Sequence, residues 1–267
     1  AAMMIVPDTG SETAARRAPA ASASLLEAAI ERGGLHPFFH AKVSMTTRKI
    51  VGVEALARIA TPQMGFASPA AYVELAERNQ RIDALTYAMA RAVAKQVVAF
   101  DGLPCSINVS PMSLERLEFA DLMEAAIRES GLDCKQFTLE VTESRAIEFG
   151  VHAFETMTQL RAKGFGIAID DFGAGTSNID RLRNYPFTEV KIDPAFIRLA
   201  MDEAFAKAAL VSCVRLAREH GLKVVAEGVE TQEMWDFMTW LKVDEAQGFL
   251  LSKPMQAEDF KELLKRD

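Results

Sequence analysis

An α/β fold built as a closed barrel, with one strand reversed, is what three features of this sequence predict. Short β-rich runs alternate with longer helical patterns along nearly the whole chain. The first two runs are separated only by Thr46-Thr47-Arg48, too little for a crossover helix, so they should form an antiparallel hairpin. Polar side chains recur toward the C-terminal ends of successive strands, where barrel enzymes carry their sites. The expected fold is therefore a TIM-like (β/α)8 barrel with the first strand antiparallel; an open doubly wound sheet is the alternative.

The elements follow in order. A helix from about Ser24 to Arg32 leads into strand Phe38–Met45, and a second strand covers Lys49–Arg58. Helices at Ser68–Arg78 and Ile82–Phe100 precede strand Cys105–Val109. Helical Leu114–Ser130, strand Gln136–Thr142 and helix Val151–Lys163 come next, then strand Phe165–Asp170 and a glycine-containing loop. Strand Glu189–Asp193, helix Glu203–His220, strand Leu222–Glu227, helix Gln232–Leu241, a short strand Val243–Gln247 and helix Ala257–Lys265 complete the series.

The composition narrows the class of function. The 267 residues, 49% of them hydrophobic, suffice for one large core, with no repeat of 20 to 50 residues. A net charge of -7 disfavours nonspecific binding to duplex nucleic acid. An acidic protein that handles an anion needs metal ions or a few placed cations. Cys105, Cys134 and Cys213 lack metal-ligand spacing and read as reduced thiols of a cytoplasmic protein. No apolar run reaches the roughly 20 residues that span a membrane. Residues 1–24, rich in Ala, Ser and Pro, read as a flexible linker or an expression remnant rather than a signal peptide, leaving 25–267 as one domain.

Alternation places the polar residues. Glu54 and Arg58 share a strand face, opposite Val53, Ala55 and Ala57. Ser106 and Asn108 oppose Cys105 and Ile107; Thr138, Glu140 and Thr142 oppose Leu139 and Val141. Ala168 and Asp170 oppose Ile167 and Ile169, Lys191 and Asp193 oppose Val190 and Ile192, and Glu227 shares a face with Val225. The apolar faces should meet the helices. So many gathered carboxylates need positive charge between them. Glu54, Glu140, Asp170, Asp171 and Glu227 with Asn108 form an all-oxygen donor set, which suits Mg2+ or Mn2+ better than zinc. The adjacent Asp170 and Asp171 suit a bridged pair of ions, the clamp used for attack on phosphorus.

These residues also resemble a known family. Glu54-Ala55-Leu56-Ala57-Arg58, Asn108-Val109-Ser110, Leu139-Glu140-Val141-Thr142-Glu143 and Asp170-Asp171-Phe172-Gly173 resemble the motifs of EAL-domain cyclic di-GMP phosphodiesterases. So do Lys191-Ile192-Asp193, Ala226-Glu227-Gly228-Val229-Glu230-Thr231, Gln247-Gly248 and Pro254. The resemblance implies hydrolysis of cyclic di-GMP to linear pGpG; the alternative is a catalytically silent receptor for the same dinucleotide. It implies one metal on Glu54, Asn108, Glu140 and Asp170 and a second on Asp170 and Asp171, with Glu227 a ligand or general base. Lys191 would position or activate water with Asp193 close by, Arg58 would contact substrate phosphate, and Glu230 and Gln247 would line or support the site. Glu143 would steady the loop from Phe172 to Asn178, which the family links to metal binding and a homodimer contact. The chain would be one module attached to sensor or regulatory domains. Phe39-His40-Ala41 stands where the family usually has Tyr-Gln-Pro, which makes His40 a polar pocket residue at the substrate or a core histidine.

Overall fold

The computed structural model of the chain describes residues 22–61, 65–67, 70–142, 152–173 and 179–267. Strand β1 (Leu35–Ser44) pairs antiparallel with β2 (Ile50–Thr61), with His40 opposite Glu54 and an irregularity between Lys42 and Val43. From β2 the pairing is parallel through β4 (Cys105–Asn108), β5 (Phe137–Thr142), β6 (Gly166–Phe172), β7 (Glu189–Ile192), β8 (Lys223–Ala226) and β9 (Glu245–Ala246). Antiparallel pairing of β9 with β1, Val43 opposite Ala246, closes the ring. The fold is thus a closed eight-stranded barrel with its first strand reversed, as the short first hairpin predicts. The remaining strand, β3 (Gly65–Ala67), is a hairpin partner of β2 outside the ring, in a stretch to which the sequence reading assigns no element.

The described helices are α1 (Ala23–Arg32), α2 (Ala70–Arg78), α3 (Ile82–Val97), α4 (Pro111–Leu114), α5 (Phe119–Arg128), α6 (Ala153–Ala162), α7 (Ile179–Asn184), α8 (Pro194–Asp202), α9 (Ala204–Glu219), α10 (Gln232–Leu241) and α11 (Ala257–Leu264). Ser22 caps α1 by accepting from the Leu25 N–H. Two expectations change. The helix expected over Leu114–Ser130 is confined to α5, Phe119–Arg128, while Leu114 ends the separate four-residue α4, which Ser110 caps with Pro111 at its first turn. Pro194–Asp202 is helical although alternation runs the strand on to Asp193. Asp193 is the N-cap of α8, accepting from the Ala195 and Phe196 N–H groups, and Pro194 fits the first helical position.

The outward strand faces make the main core. Val53, Ala55, Ile107, Phe137, Leu139, Val141, Ile167, Ile169, Val190 and Val224 are buried against the helix layer. Phe39 and Phe100 meet edge-on at 4.9 Å, with Phe260 of α11 5.0 Å from Phe100, anchoring that helix to β1. A smaller cluster under α1, α2 and α3 gathers Leu26, Ala29, Leu35, Ile59, Tyr72, Ala76, Ile82 and Leu85. Barrel interiors are ordinarily filled by branched apolar side chains. Here the inward face instead carries His40, Lys42, Glu54, Ser106, Glu140, Asp170, Glu189, Lys191, Glu245 and Gln247, all buried. No helix among the described residues is long and apolar enough to cross a membrane.

Candidate active site

Lys191 is the hub. It lies on β7 with none of its surface exposed, and its Nζ is 2.6 Å from Glu140 Oε2, 2.7 Å from Glu227 Oε1, 3.1 Å from Asp170 Oδ1 and 3.5 Å from Glu54 Oε2. Four strands thereby send acids to one ammonium, because parallel neighbours align their C-terminal ends: Glu54 pairs with Ser106, Asn108 with Glu140, and Thr142 with Asp170. Burial alone would lower the Lys191 pKa, but Glu140, Glu227, Glu54 and Asp170 outweigh it and keep the ammonium charged well above its ordinary range.

Glu54 is held by amides. Asn108 Nδ2 donates to its Oε1 at 2.8 Å and Gln247 Nε2 to its Oε2 at 2.7 Å. Glu140 is held by lysines instead. Burial would raise its pKa, yet Lys191 on one oxygen and Lys42 on the other pull it down to about 2. Lys42 is a residue that motif reading passes over. Its Nζ donates to Ser106 Oγ at 2.6 Å, Glu140 Oε1 at 2.8 Å and Glu189 Oε1 at 2.9 Å, which uses all its protons. The signal was present: Lys42 has the parity of His40 on β1, and Glu189 that of Lys191 on β7.

Asp170 and Asp171 break alternation together. Consecutive strand residues should face opposite ways, but β6 is irregular between Ile169 and Phe172, and Asp171 sits left-handed at φ 57°. The bulge leaves Asp171 half-buried, its N–H donating to Asp170 Oδ1 at 3.0 Å. One oxygen each from Asp170, Asp171 and Glu227 lie within 4.8 Å of one another, close enough to share a cation. An all-carboxylate trio fits a hard divalent ion rather than zinc. Burial, with repulsion from Glu140 and Glu54, lifts Asp170 to about 7 against the pull of Lys191, and burial with repulsion from Asp170 and Glu54 carries Glu227 well above the carboxylate range. One lysine cannot keep all its acids ionised.

The other expected residues lie around this centre. Gln247 follows β9 and touches Glu54 and His40, and His40 is buried beside it. Arg58, half-buried farther along β2, donates to the Ala57 carbonyl and lies 5.6 Å from the Phe38 ring, outside the cluster around Lys191. The Asp193 carboxylate serves as the α8 cap, near enough to Asp171 to help raise its pKa behind the larger effect of burial. Glu230 is exposed on the segment after β8. Glu143, and the loop beyond Gly173 up to Asn178, lie outside the described residues. A cavity of about 480 Å³ opens beside the acids, lined by Glu54, Asn108, Asp170 and Asp171 together with the apolar Leu56, Leu85 and Met89.

Similarity to known proteins agrees with this geometry. Residues 23–254 match the EAL domain family. A cyclic di-GMP phosphodiesterase of Pseudomonas aeruginosa is 32% identical over 259 residues, covering 96% of this chain and 44% of that protein. A second from that organism, RocR, is 30% identical over 235 residues, covering 86% of this chain and 60% of RocR. The chain thus spans 44% and 60% of the length of these two relatives. Among solved structures, the MucR phosphodiesterase in complex with cyclic di-GMP superposes with a TM-score of 0.80 at 34% identity, covering 88% of this chain and 97% of that one. An EAL enzyme bound to cAMP and cyclic di-GMP gives a TM-score of 0.83 at 27% identity, covering 90% of this chain and 67% of that one. The closed barrel with a reversed first strand, the acids gathered on Lys191 and these similarities together make the chain a member of the EAL domain family.

Proposed function

We propose that this chain hydrolyses one phosphodiester bond of cyclic di-GMP to give linear pGpG, with two Mg2+ or Mn2+ ions at the barrel mouth. The observation that carries the reading is the gathering of Glu54, Glu140, Asp170 and Glu227 on the buried ammonium of Lys191, next to an open cavity. Glu54, Asn108, Glu140 and Asp170 would hold one ion and Asp170 and Asp171 the second, with Glu227 a further ligand or the general base. When bound, the ions supply Lewis-acid charge at the phosphoryl oxygens and lower the pKa of water.

The chain's own groups do the rest. Lys191 holds an ammonium at the centre, where it orients the attacking water and offsets negative charge that develops on the phosphoryl oxygens. Arg58, one residue beyond the cavity-lining Ala57, would meet a substrate phosphate, an interaction for which its fork of donors is suited. Asn108 and Gln247 keep Glu54 in a fixed orientation. Leu56, Leu85 and Met89 offer an apolar wall that a base can lie against while water is excluded. Asp193 and Glu230 support the site rather than react, and the family resemblance gives Glu143 the same part. The matched relatives are longer than the region they share with this chain, which supports attachment to sensor or regulatory domains. We include a homodimer through the segments after Asp171 in the same proposal.

The test is incubation of the purified chain with cyclic di-GMP and Mn2+ or Mg2+, with products separated by chromatography. Formation of pGpG that stops in excess chelator and resumes with added metal supports the proposal. Tight binding with no product makes the chain a silent receptor, and neither binding nor product refutes both readings.

A further inference from the structure

His40 stands at the position where the family usually carries a glutamine, and both of its ring nitrogens are engaged inside the protein. Nε2 is 3.0 Å from the carbonyl oxygen of Ser252, and Nδ1 is 2.7 Å from Nε2 of Gln247. A carbonyl can only accept, so Nε2 carries the proton and Nδ1 is left with its lone pair. The Gln247 group between His40 and Glu54 is 2.7 Å from a carboxylate oxygen, which also can only accept, so that group is the NH2. Its two protons therefore go one to His40 Nδ1 and one to Glu54 Oε2. The price appears on the other side of the amide: Gln247 Oε1 is buried with no partner among the described residues. Rotation could relieve that unpaired oxygen, were the NH2 not held by two acceptors at once.

We propose that His40 is a positioning residue, which fixes the Gln247 amide and through it the Glu54 carboxylate, and does not itself contact substrate. The line runs from the Ser252 carbonyl through the imidazole and the amide to Glu54, whose other oxygen is tied to Asn108. Strand pairing supports it, because His40 lies directly opposite Glu54 across β1 and β2. The inference rests on the proposed reading only in taking Glu54 as part of the reacting site.

The test has a part that needs neither substrate nor turnover. In 15N-labelled protein, long-range proton–nitrogen correlations identify the His40 ring, assigned by its loss in His40→Asn. The expected result is an Nε2–H tautomer, with an Nδ1 shift that moves in Gln247→Leu while Nε2 stays protonated. Mn2+ affinity is then measured by calorimetry on substrate-free protein. His40→Leu removes the acceptor and should weaken affinity about five- to tenfold, as loss of one buried hydrogen bond does. His40→Asn, whose side-chain oxygen can stand in for Nδ1, should return affinity to within about threefold of the parent, and its Gln247 side-chain NH2 resonances should stay near the parental positions. In turnover, kcat should follow metal affinity while KM for cyclic di-GMP changes less than about twofold. An Nδ1–H tautomer, equal effects of Asn and Leu, or a rise in KM at unchanged metal affinity would each overturn the proposal. A parent protein with no phosphodiesterase activity would refute the proposed function instead, and the tautomer and the Gln247 resonances would still decide the role of His40.

Discussion

Replacement of Lys42 by methionine should destabilise the metal-free protein by about 3–5 kcal/mol, the loss typical when one member of a buried ion pair is deleted. The magnitude follows from what the ammonium leaves behind. Lys42 is 3% exposed, and its three protons go to Ser106, Glu140 and Glu189. Methionine fills a similar volume, so the cavity contribution is small and the loss is electrostatic. Glu140 would keep Lys191, but Glu189 would keep only Lys223, whose Nζ is 3.4 Å away and shared with Glu245. For a domain of this size about 1 kcal/mol moves the melting temperature by roughly 2–4 °C, so the fall should be about 6–20 °C. Urea denaturation followed by circular dichroism gives the free energy, and calorimetry the melting temperature. A Lys42→Met/Glu189→Gln double variant should recover at least about 1 kcal/mol, because the stranded charge is gone. A single variant within about 1 kcal/mol of the parent would refute the view that Lys42 compensates the barrel floor.

Other consequences concern the reacting groups and the backbone that holds them. Glu54→Ala and Lys191→Met should each lower turnover at least about a hundredfold, equivalent to roughly 2.7 kcal/mol of barrier, whereas Arg58→Ala should chiefly weaken dinucleotide affinity in calorimetry. With Asp170 raised to about 7, the folded protein keeps a proton that the unfolded chain has already lost, so metal-free stability should fall as pH rises from about 4 to 7. Mn2+ affinity should rise over that window, since ligation releases the proton; equal affinity at both ends would contradict the assignment. Glu140, lowered to about 2, acts in the opposite sense but only in acid, where its stabilising charge is lost as pH falls below about 4.5. Gly248→Ala should fold poorly or not at all, because a Cβ there would overlap the backbone N and O of Val229, and thermal denaturation of any soluble product reports the loss.

The site was legible where a residue obeys the two-residue period. Glu54, Asn108, Glu140 and Lys191 lie on regular stretches of strand and Asp170 keeps its register with Thr142 of β5, so alternation placed them. Asp171 violates the period, and only the irregular β6–β7 pairing with a left-handed φ explains how two consecutive aspartates approach one point. Lys42 and Glu189 obey the period but were passed over, since a lysine low in a strand reads as an exposed charge until its partners are known. Asp193 shows the reverse failure. Its parity with Lys191 suggested a strand residue facing the site, while the local chemistry of an aspartate before a proline starts a helix. The reversed first strand was legible for a simpler reason, the three-residue link that no crossover helix fits.

These contacts divide the site into a fixed floor and an exchangeable rim. Along the barrel axis the charges alternate, from Glu245 to Lys223, Glu189, Lys42, Glu140 and Lys191. Each member of that file has an opposite neighbour, so Lys191 is supported from below through a carboxylate that Lys42 holds by its other oxygen. Above Lys191 the balance changes sign, because Asp170, Asp171, Glu227 and Glu54 share what one ammonium can offer. The raised pKa values of Asp170 and Glu227 express that deficit as bound protons. A divalent cation bound at the rim, as proposed, would replace those protons and supply the missing charge, so its affinity would draw on a deficit already built into the fold. The floor has no such deficit and no reason to rearrange. Loss of Lys42 would carry the deficit downward to Glu140, which is why a residue remote from the cavity should still alter the ground on which Lys191 stands.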